Sequence, residues 1–302
     1  MRRFFAQLVL LQVVCLSGGL PLASAQLSFP ILWDDLRTTP SCPAPNFSPG
    51  KRFPGERSIS QISFSNVSRM PVVDQEQIIA LLKQPKYSGT PDEIGNELLE
   101  RVGAEWANRG FIKVHAQGDA HLASGNPPGE GVSMNVYVEE GPRYRLGGIS
   151  FQNNRAVANV KVLRLQFRIR DGTIFSRKKI GQGLENLRLA YRQLGYVNFT
   201  AVPSPTFDDE NGLVYLAVDV DEGKQFYVSN LKVDGVAPQE SQKLLRNSLL
   251  HPGQVYNDRL LRYSMKALPL PDPSSIATYK LDLDEAEGTV AIAIRFVHCP
   301  GG

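Results

Sequence analysis

The chain has 302 residues, of which 42% are hydrophobic and 21% charged, and this ordinary globular composition excludes collagen-like, coiled-coil and wholly disordered proteins. Lys and Arg number 33 against 30 Asp and Glu, a balance too even for an electrostatic nucleic-acid surface. Three cysteines and a few scattered histidines exclude a zinc ribbon or a disulfide-rich scaffold. We therefore expect no nucleic-acid partner, and nothing in the composition indicates an enzyme.

Residues 1–25 have the pattern of a secretory signal peptide. Arg2 and Arg3 precede a short apolar run, and Ala23-Ser24-Ala25 places small residues before a cleavage site at Gln26. The apolar run is far shorter than the ~20 residues that a membrane-spanning helix needs. We expect export of the chain and removal of this segment.

Residues 26–56 form a proline-rich leader, in which proline density opposes helix and sheet interiors and favours extended backbone. The apolar stretch at 29–33 leaves two alternatives open, a docking segment and a loosely ordered terminus.

The rest of the chain repeats itself with a period of 82 to 87 residues. Gly110-Phe111 recurs 85 positions later as Gly195-Tyr196, and Gly141 recurs 82 positions later as Gly223. A short alternating strand opens each repeat and runs into a turn residue: Ile62-Ser63-Phe64, Ile149-Ser150-Phe151 and Leu231-Lys232-Val233.

Within each repeat the hydrophobic period changes in the order strand, helix, helix, strand, strand. The second repeat is clearest: Ser176 is a predicted N-cap, an apolar stripe at helical spacing follows it, and Gly195 suits the residue after the helix. The stripe consists of Ile180, Leu184, Leu187 and Tyr191. We therefore predict an α+β protein with three tandem βααββ domains over 57–141, 143–223 and 224–299, each with two helices on one face of a small mixed sheet.

Two motifs connect these repeats with a known family. Gly172 to Ser176 and Gly253 to Asn257 resemble a G-x-x-[FY]-[ST] lead-in to the second helix, and Leu187 to Tyr196 resembles an L-x-x-x-Y-x-x-x-G-Y ending. These motifs are similar to those of the POTRA (polypeptide-transport-associated) domains of the Omp85 superfamily, which includes the outer-membrane assembly factors. The third repeat departs from the pattern, because Pro269-Leu270-Pro271-Asp272-Pro273 replaces the Gly-aromatic pair and leaves its second strand undefined.

The resemblance implies a periplasmic protein that binds polypeptide by strand addition. The expected partners are an outer-membrane β-barrel protein or assembly machinery and unfolded polypeptide clients, which would pair with an unpaired sheet edge. By resemblance this edge is the second strand of the repeat, with the candidate residues Phe111, Lys113, His115, Tyr196, Val197, Asn198, Phe199 and Thr200. The alternative is that a neighbouring domain covers these strands.

No catalytic, metal-binding or cofactor-binding site is predicted, and we expect no cofactor. The histidines lie in different elements without metal-ligand spacing, and Gly181-Gln182-Gly183 lies inside a helix and lacks the third glycine of a dinucleotide loop. We also expect no β-barrel after the third repeat, since the chain ends there at Gly302. A structural scaffold of an envelope complex, without client binding, is the alternative function.

Basic residues gather on the predicted helical layer of the second repeat. A solvated helix face and a contact with anionic lipid headgroups or an acidic partner both account for them, and the sequence leaves both open. The residues are Arg164, Arg168, Arg170, Arg177, Lys178, Lys179, Arg188 and Arg192.

Cys42 and Cys299 are the cysteines that remain after signal-peptide removal. Export to an oxidising compartment favours a disulfide, and we expect it to be intramolecular, with the leader folded back along a bent array. An intermolecular bridge and two free thiols are the alternatives.

Overall fold

The computed structural model describes residues 56–123, 131–266 and 275–298. These residues form three sheets, each with its own helices and its own hydrophobic core. We call the three parts the N-terminal unit (56–141), the central unit (144–223) and the C-terminal unit (226–298). The signal peptide, most of the leader, and both Cys42 and Cys299 lie outside the described residues.

The N-terminal unit contains β1 (Glu56–Ser65), α1 (Val72–Lys83), β2 (Tyr87–Ser88), α2 (Pro91–Ala107), β3 (His115–Gln117), β4 (Ala120–Leu122) and β5 (Gly131–Glu139). β1 and β5 pair in parallel at the centre of the sheet, and β3 and β4 pair antiparallel with β5. The predicted single second strand is thus broken into two short ones. Gly118 lies between them, where a Cβ would come 2.4 Å from the Asn135 carbonyl oxygen, so the chain bends close to its neighbour there.

The central unit contains β6 (Arg145–Gln152), α3 (Val160–Arg164), α4 (Arg177–Gln193), β7 (Thr200–Asp208) and β8 (Leu213–Asp221). β8 is the middle strand, parallel to β6 and antiparallel to β7. The C-terminal unit has the same arrangement in β9 (Tyr227–Asp234), α5 (Pro238–Arg246), α6 (Asp258–Lys266), β10 (Ser275–Asp284) and β11 (Thr289–His298). The predicted α+β class and mixed sheets are confirmed, while the domain boundaries stay predictions.

The long helices α2 and α4 begin at side-chain N-caps, and the N-cap of α4 is the predicted Ser176. The Ser176 hydroxyl accepts a hydrogen bond from the Lys179 amide, and Thr90 with Glu93 forms a full capping box at the start of α2. The predicted stripe of α4 is buried in the core of the central unit, with Ile180, Leu187 and Tyr191 at 0% exposure. Burial of such a stripe, rather than intrinsic propensity, stabilises a helix of this length.

A glutamate after the last strand anchors the loop after the first strand in two of the units. The Glu140 carboxylate accepts the backbone N–H groups of Ser68, Arg69 and Met70 at 2.7–2.9 Å. Burial raises the pKa of Glu140, but these three N–H donors outweigh it and hold the pKa below its ordinary value. Glu222 has the same place in the central unit, where it accepts from the Ala156 amide and the Tyr191 hydroxyl.

Among the described helices, none combines the length and the hydrophobicity that crossing a membrane requires.

Candidate functional site

The predicted edge residues of the N-terminal unit do not form a free strand. Phe111 is fully buried, Lys113 lies in a turn, and only His115 belongs to a strand, the three-residue β3. Gly110 ends the helical segment with φ +95°. Phe111 then packs into the core of the N-terminal unit before the chain reaches the sheet. The second strand predicted to contain Phe111, Lys113 and His115 is therefore corrected to His115–Gln117 and Ala120–Leu122.

The predicted edge residues of the central unit precede its edge strand. Tyr196, Val197, Asn198 and Phe199 lie before β7, and Thr200 is its first residue. Phe199 is buried and stacks on Tyr191 with ring centroids 4.2 Å apart. Val197 packs against the core of the next unit, so this segment connects two units instead of presenting a free edge. The sequence prediction placed the strand start four residues too early.

β7 does occupy a sheet edge, and two prolines limit what that edge offers. It pairs with β8 in an unbroken antiparallel register that includes Pro203 and Pro205. A proline has no N–H, so prolines fit an edge strand where backbone polar groups point away from the partner strand. Pro203 and Pro205 are two residues apart and therefore share the outward side. This side of β7 lacks two of the donors that an added strand would need.

β10, an outer strand of the C-terminal sheet, lacks this obstruction. β6 and β9 are also edge strands without proline, but Leu146 and Val228 near their starts already bond to the loops before α4 and α6. All ten residues of β10, Ser275–Asp284, pair with β11 in unbroken register, and the strand contains no proline. Among the residues that the structure describes, no other strand pairs with its outer side. Sequence reasoning missed this strand because the proline run at 269–273 obscured its start. The alternation of Ala277, Tyr279, Leu281 and Leu283 is the signal that could have revealed it.

The two junctions between units share one backbone pattern. The Tyr144 amide donates to the Gly110 carbonyl at 2.8 Å, and the Phe226 amide donates to the Gly195 carbonyl at 2.9 Å. Both glycines have φ near +90°, and a Cβ on Gly110 would come 2.8 Å from the Tyr144 carbonyl oxygen. The repeated glycine of the sequence therefore serves the junction as well as the helix end.

At the junction between the N-terminal and central units, the side-chain contacts are partly exposed. Lys113 forms an ion pair with Asp209 at 2.8 Å, and the Tyr144 hydroxyl donates to the same carboxylate. The hydrogen bond to Asp209 raises the pKa of Lys113. The Asn108 side chain accepts from the Lys178 amide, so the end of α2 caps the first turn of α4.

At the junction between the central and C-terminal units, a carboxylate is buried. Asp258 is 2% exposed and accepts from Arg192 at 3.1 Å, Arg262 at 2.7 Å and the Tyr256 hydroxyl at 2.9 Å. Burial raises the pKa of Asp258, but the charge of Arg192 and the hydrogen bonds outweigh it and leave the pKa below its ordinary value. Asn198, a predicted edge residue, donates across the same junction to Glu285 of the C-terminal unit at 2.9 Å.

A cleft of about 580 Å³ lies against the same junction and is lined by Tyr196, Asp219 and Glu222 among others. Within the described part of the chain, no group of three or more His, Cys, Asp or Glu residues is arranged to hold a metal ion. The candidate interaction features of the described residues are therefore the sheet edges and the junctions between units.

Comparison with known proteins finds a family match for the central unit and similar sequences for longer parts of the chain. The POTRA family (surface antigen variable number repeat) matches residues 144–223. A putative outer-membrane protein assembly factor of Treponema pallidum is 24% identical over 169 residues, covering 55% of this chain and 20% of that protein. The outer membrane protein assembly factor BamA of Nitratidesulfovibrio vulgaris is 24% identical over 219 residues, covering 70% of this chain and 27% of the relative.

The fold itself matches a solved structure. POTRA domains 3–5 of Haemophilus influenzae BamA superpose with a TM-score of 0.61 at 17% identity, covering 80% of this chain and 96% of that one. This chain spans about a quarter or less of the length of the curated relatives it matches. Residues 144–223 therefore match the POTRA family, and parts of the chain are similar in sequence to outer-membrane protein assembly factors.

Proposed function

We propose that this chain acts in the periplasm as a non-enzymatic interaction module of outer-membrane protein assembly, and that an extended polypeptide adds to the outer edge of β10. The similarity to outer-membrane assembly factors supports the first part. Its partners would be a β-barrel protein or the assembly machinery, and its clients unfolded polypeptides. The observation that carries the second part is the ten-residue, proline-free edge strand β10.

The hairpins β7–β8 and β10–β11 are equivalent, which fixes the outward positions of β10. Asp208 pairs with Leu213 and Asp284 with Thr289, so residues 209–212 and 285–288 form loops of equal length. Counted back from these loops, Tyr279 and Leu281 of β10 occupy the positions of Pro203 and Pro205 in β7. Their N–H groups therefore point outward, where the prolines have none.

Such an edge suits many clients, because backbone groups supply the hydrogen bonds and client side chains contribute less. A strand of ten residues also matches the ~9–11 residues of a transmembrane β-strand. By contrast, β3 and β4 offer three residues each, and β7 lacks two donors. The edge strands β6 and β9 have eight residues each, and the loops before α4 and α6 already bond to the starts of their outer sides. The proposed edge thus replaces the one that the sequence suggested in the first and second repeats.

Leu281→Pro tests the proposal against its matched control Leu281→Ala. Both variants lose the leucine side chain, but only the proline removes the outward N–H and adds a ring on the binding side. We expect the proline variant to bind a fluorescent ten-residue peptide of alternating aliphatic and hydroxyl residues about tenfold more weakly than the alanine variant, as measured by anisotropy. Equal affinities of the two folded variants would exclude β10 as the edge.

Amide hydrogen exchange gives a second, independent measurement. Bound peptide should slow exchange at alternate residues of β10, the outward positions Ala277, Tyr279, Leu281 and Leu283. The intervening amides already pair with β11 and should change little. Slowed exchange along Ala201 and Phe207 of β7 instead would place the client on the central unit.

The alternative function is a structural scaffold of an envelope complex. The hydrogen-bonded junctions on both sides of the central unit favour it, because they give the units a defined arrangement. A scaffold would retain its partner protein in Leu281→Pro and show no affinity for the strand peptide in the unmodified chain. Co-purification and peptide binding, measured on the same samples, separate the two functions.

A further inference from the structure

We propose that the outer surface of α3 in the central unit docks on an anionic lipid bilayer. The α3 surface consists of Val160, Lys161, Val162, Leu165, Arg168 and Arg170. This inference does not depend on strand addition at β10, because it concerns a different unit and the helical layer instead of a sheet edge.

Three apolar side chains of the α3 surface project into solvent. Val160 is 49%, Val162 44% and Leu165 78% exposed, although all three lie within six residues. Leu163 between them is buried and holds the helix on the core of the central unit. Single exposed apolar residues are common on protein surfaces, whereas a contiguous group marks an interaction surface.

The cations of this surface are placed by one internal ion pair. The Arg164 guanidinium donates to the carbonyl oxygens of Phe167 and Ile169 and pairs with Asp171 at 2.7 Å. These bonds tie the segment after α3 to the end of the helix, and Arg168 and Arg170 project from that segment three and five residues after Leu165. The ion pair with Arg164 also offsets the negative charge of Asp171. Lys161, Arg168 and Arg170 are all exposed.

The surrounding sequence strengthens the positive potential. Residues 152–180 contain eight basic residues and one acidic residue, Asp171. The equivalent first helices of the other two units differ, since α1 has Asp74 and α5 has Glu240 in the first turn, and α3 has no acid there. α1 also exposes Val72 and Val73, but Asp74 follows them directly. Exposed apolar residues without an acid in the same turn therefore distinguish α3 from α1, and this combination is not a requirement of the fold.

A lipid surface fits this combination better than an acidic protein does. Protein interfaces are enriched in aromatic residues at their centres, whereas the α3 surface has no aromatic residue and presents only aliphatic side chains among its cations. Aliphatic side chains that enter the headgroup boundary, with cations at the phosphates around them, are typical of helices that lie on anionic membranes.

Vesicle binding of the mature chain tests the proposal. We expect it to sediment with vesicles of equimolar phosphatidylcholine and phosphatidylglycerol, and to remain in solution with phosphatidylcholine alone. Each cation at an anionic surface contributes about fivefold in affinity, so the triple variant K161Q/R168Q/R170Q should bind about a hundredfold more weakly. The matched control K243Q/R246Q/K266Q removes equal charge from exposed positions on the helices of the C-terminal unit, away from β10, and should change binding less than about threefold.

Leu165→Trp reports on the apolar contact. Its indole emission should shift to shorter wavelength with phosphatidylglycerol vesicles and stay unchanged with soluble polyglutamate. Equal losses in the two triple variants would show that net charge alone attracts the protein, and would overturn the proposal. So would binding to polyglutamate as tight as binding to vesicles, since an acidic polypeptide would then be the partner.

Discussion

The two junctions between units share a backbone but differ in where they keep their charges. In each junction, the backbone N–H of an aromatic residue donates to the carbonyl of a glycine with positive φ. In each, side chains also join the end of one long helix to the start of a helix in the next unit. Between the N-terminal and central units, the pair Lys113–Asp209 is 39% and 62% exposed. Between the central and C-terminal units, the pair Arg192–Asp258 is 15% and 3% exposed.

This difference predicts unequal stability of the two junctions. A solvent-exposed ion pair contributes little, because water competes for both charges and side-chain entropy is lost. A buried pair adds modest net stability when intact, but its loss leaves an uncompensated charge in a low-dielectric region. One repeat architecture can thus join its units tightly or loosely through two or three side chains.

The largest expected effect is that of Asp258→Ala. Removal of the carboxylate leaves Arg192 buried without its ion-pair partner and takes the acceptor from Tyr256. We expect a loss of about 3–5 kcal/mol in the unfolding free energy of the C-terminal unit, measured by urea denaturation.

Asp209→Ala is the matched control for this change, because it removes the acid of the other junction. A loss from Asp258→Ala no larger than that from Asp209→Ala would refute the distinction between a buried and an exposed junction.

Gly110→Ala should have the next largest effect. An alanine at φ +95° costs about 1–2 kcal/mol, and its Cβ would also have to displace the Tyr144 carbonyl 2.8 Å away. We expect faster amide exchange at Tyr144 and a lower melting temperature. Gly172→Ala is the control, because its φ is also positive, at +78°, but no atom lies within 4 Å of the added Cβ. If both variants lose the same stability, the close approach at the junction contributes nothing.

Much of the fold follows from local sequence patterns. The cap at Ser176, the buried stripe of α4 and the repeated glycines at 110 and 195 were predictable, because caps, helical period and positive φ are set by residues near one another in sequence. The second strand of each repeat was harder to predict. The alternation of Tyr196 to Thr200 indicates a strand, but the chain there is committed to a contact with the next unit.

The candidate site was less predictable than the fold. Pro203 and Pro205 were visible in the sequence and indicate an edge strand that is blocked on its outward side. Asp258 gave no such signal, because an acid in the first turn of a helix is common and its partner Arg192 is 66 residues away. Contacts between distant residues across a junction have no local pattern, so they required the structure.

The smallest expected effect is that of Lys113→Met. The variant retains the length of the side chain and the hydrogen bond from Tyr144 to Asp209, so it removes little beyond the ion pair and the approach of the ammonium to the Phe207 ring. We expect a loss of about 0.2–1 kcal/mol in unfolding free energy at low salt that largely disappears near ~1 M salt, where the Debye length is ~3 Å.

Arg192→Met is the counterpart at the buried junction, and its larger loss should persist in high salt because the Asp258 carboxylate is screened much less there. Urea denaturation of both variants at low and high salt measures this directly. If high salt removes as large a fraction of the loss for Arg192→Met as for Lys113→Met, water reaches Asp258 and the two junctions are alike.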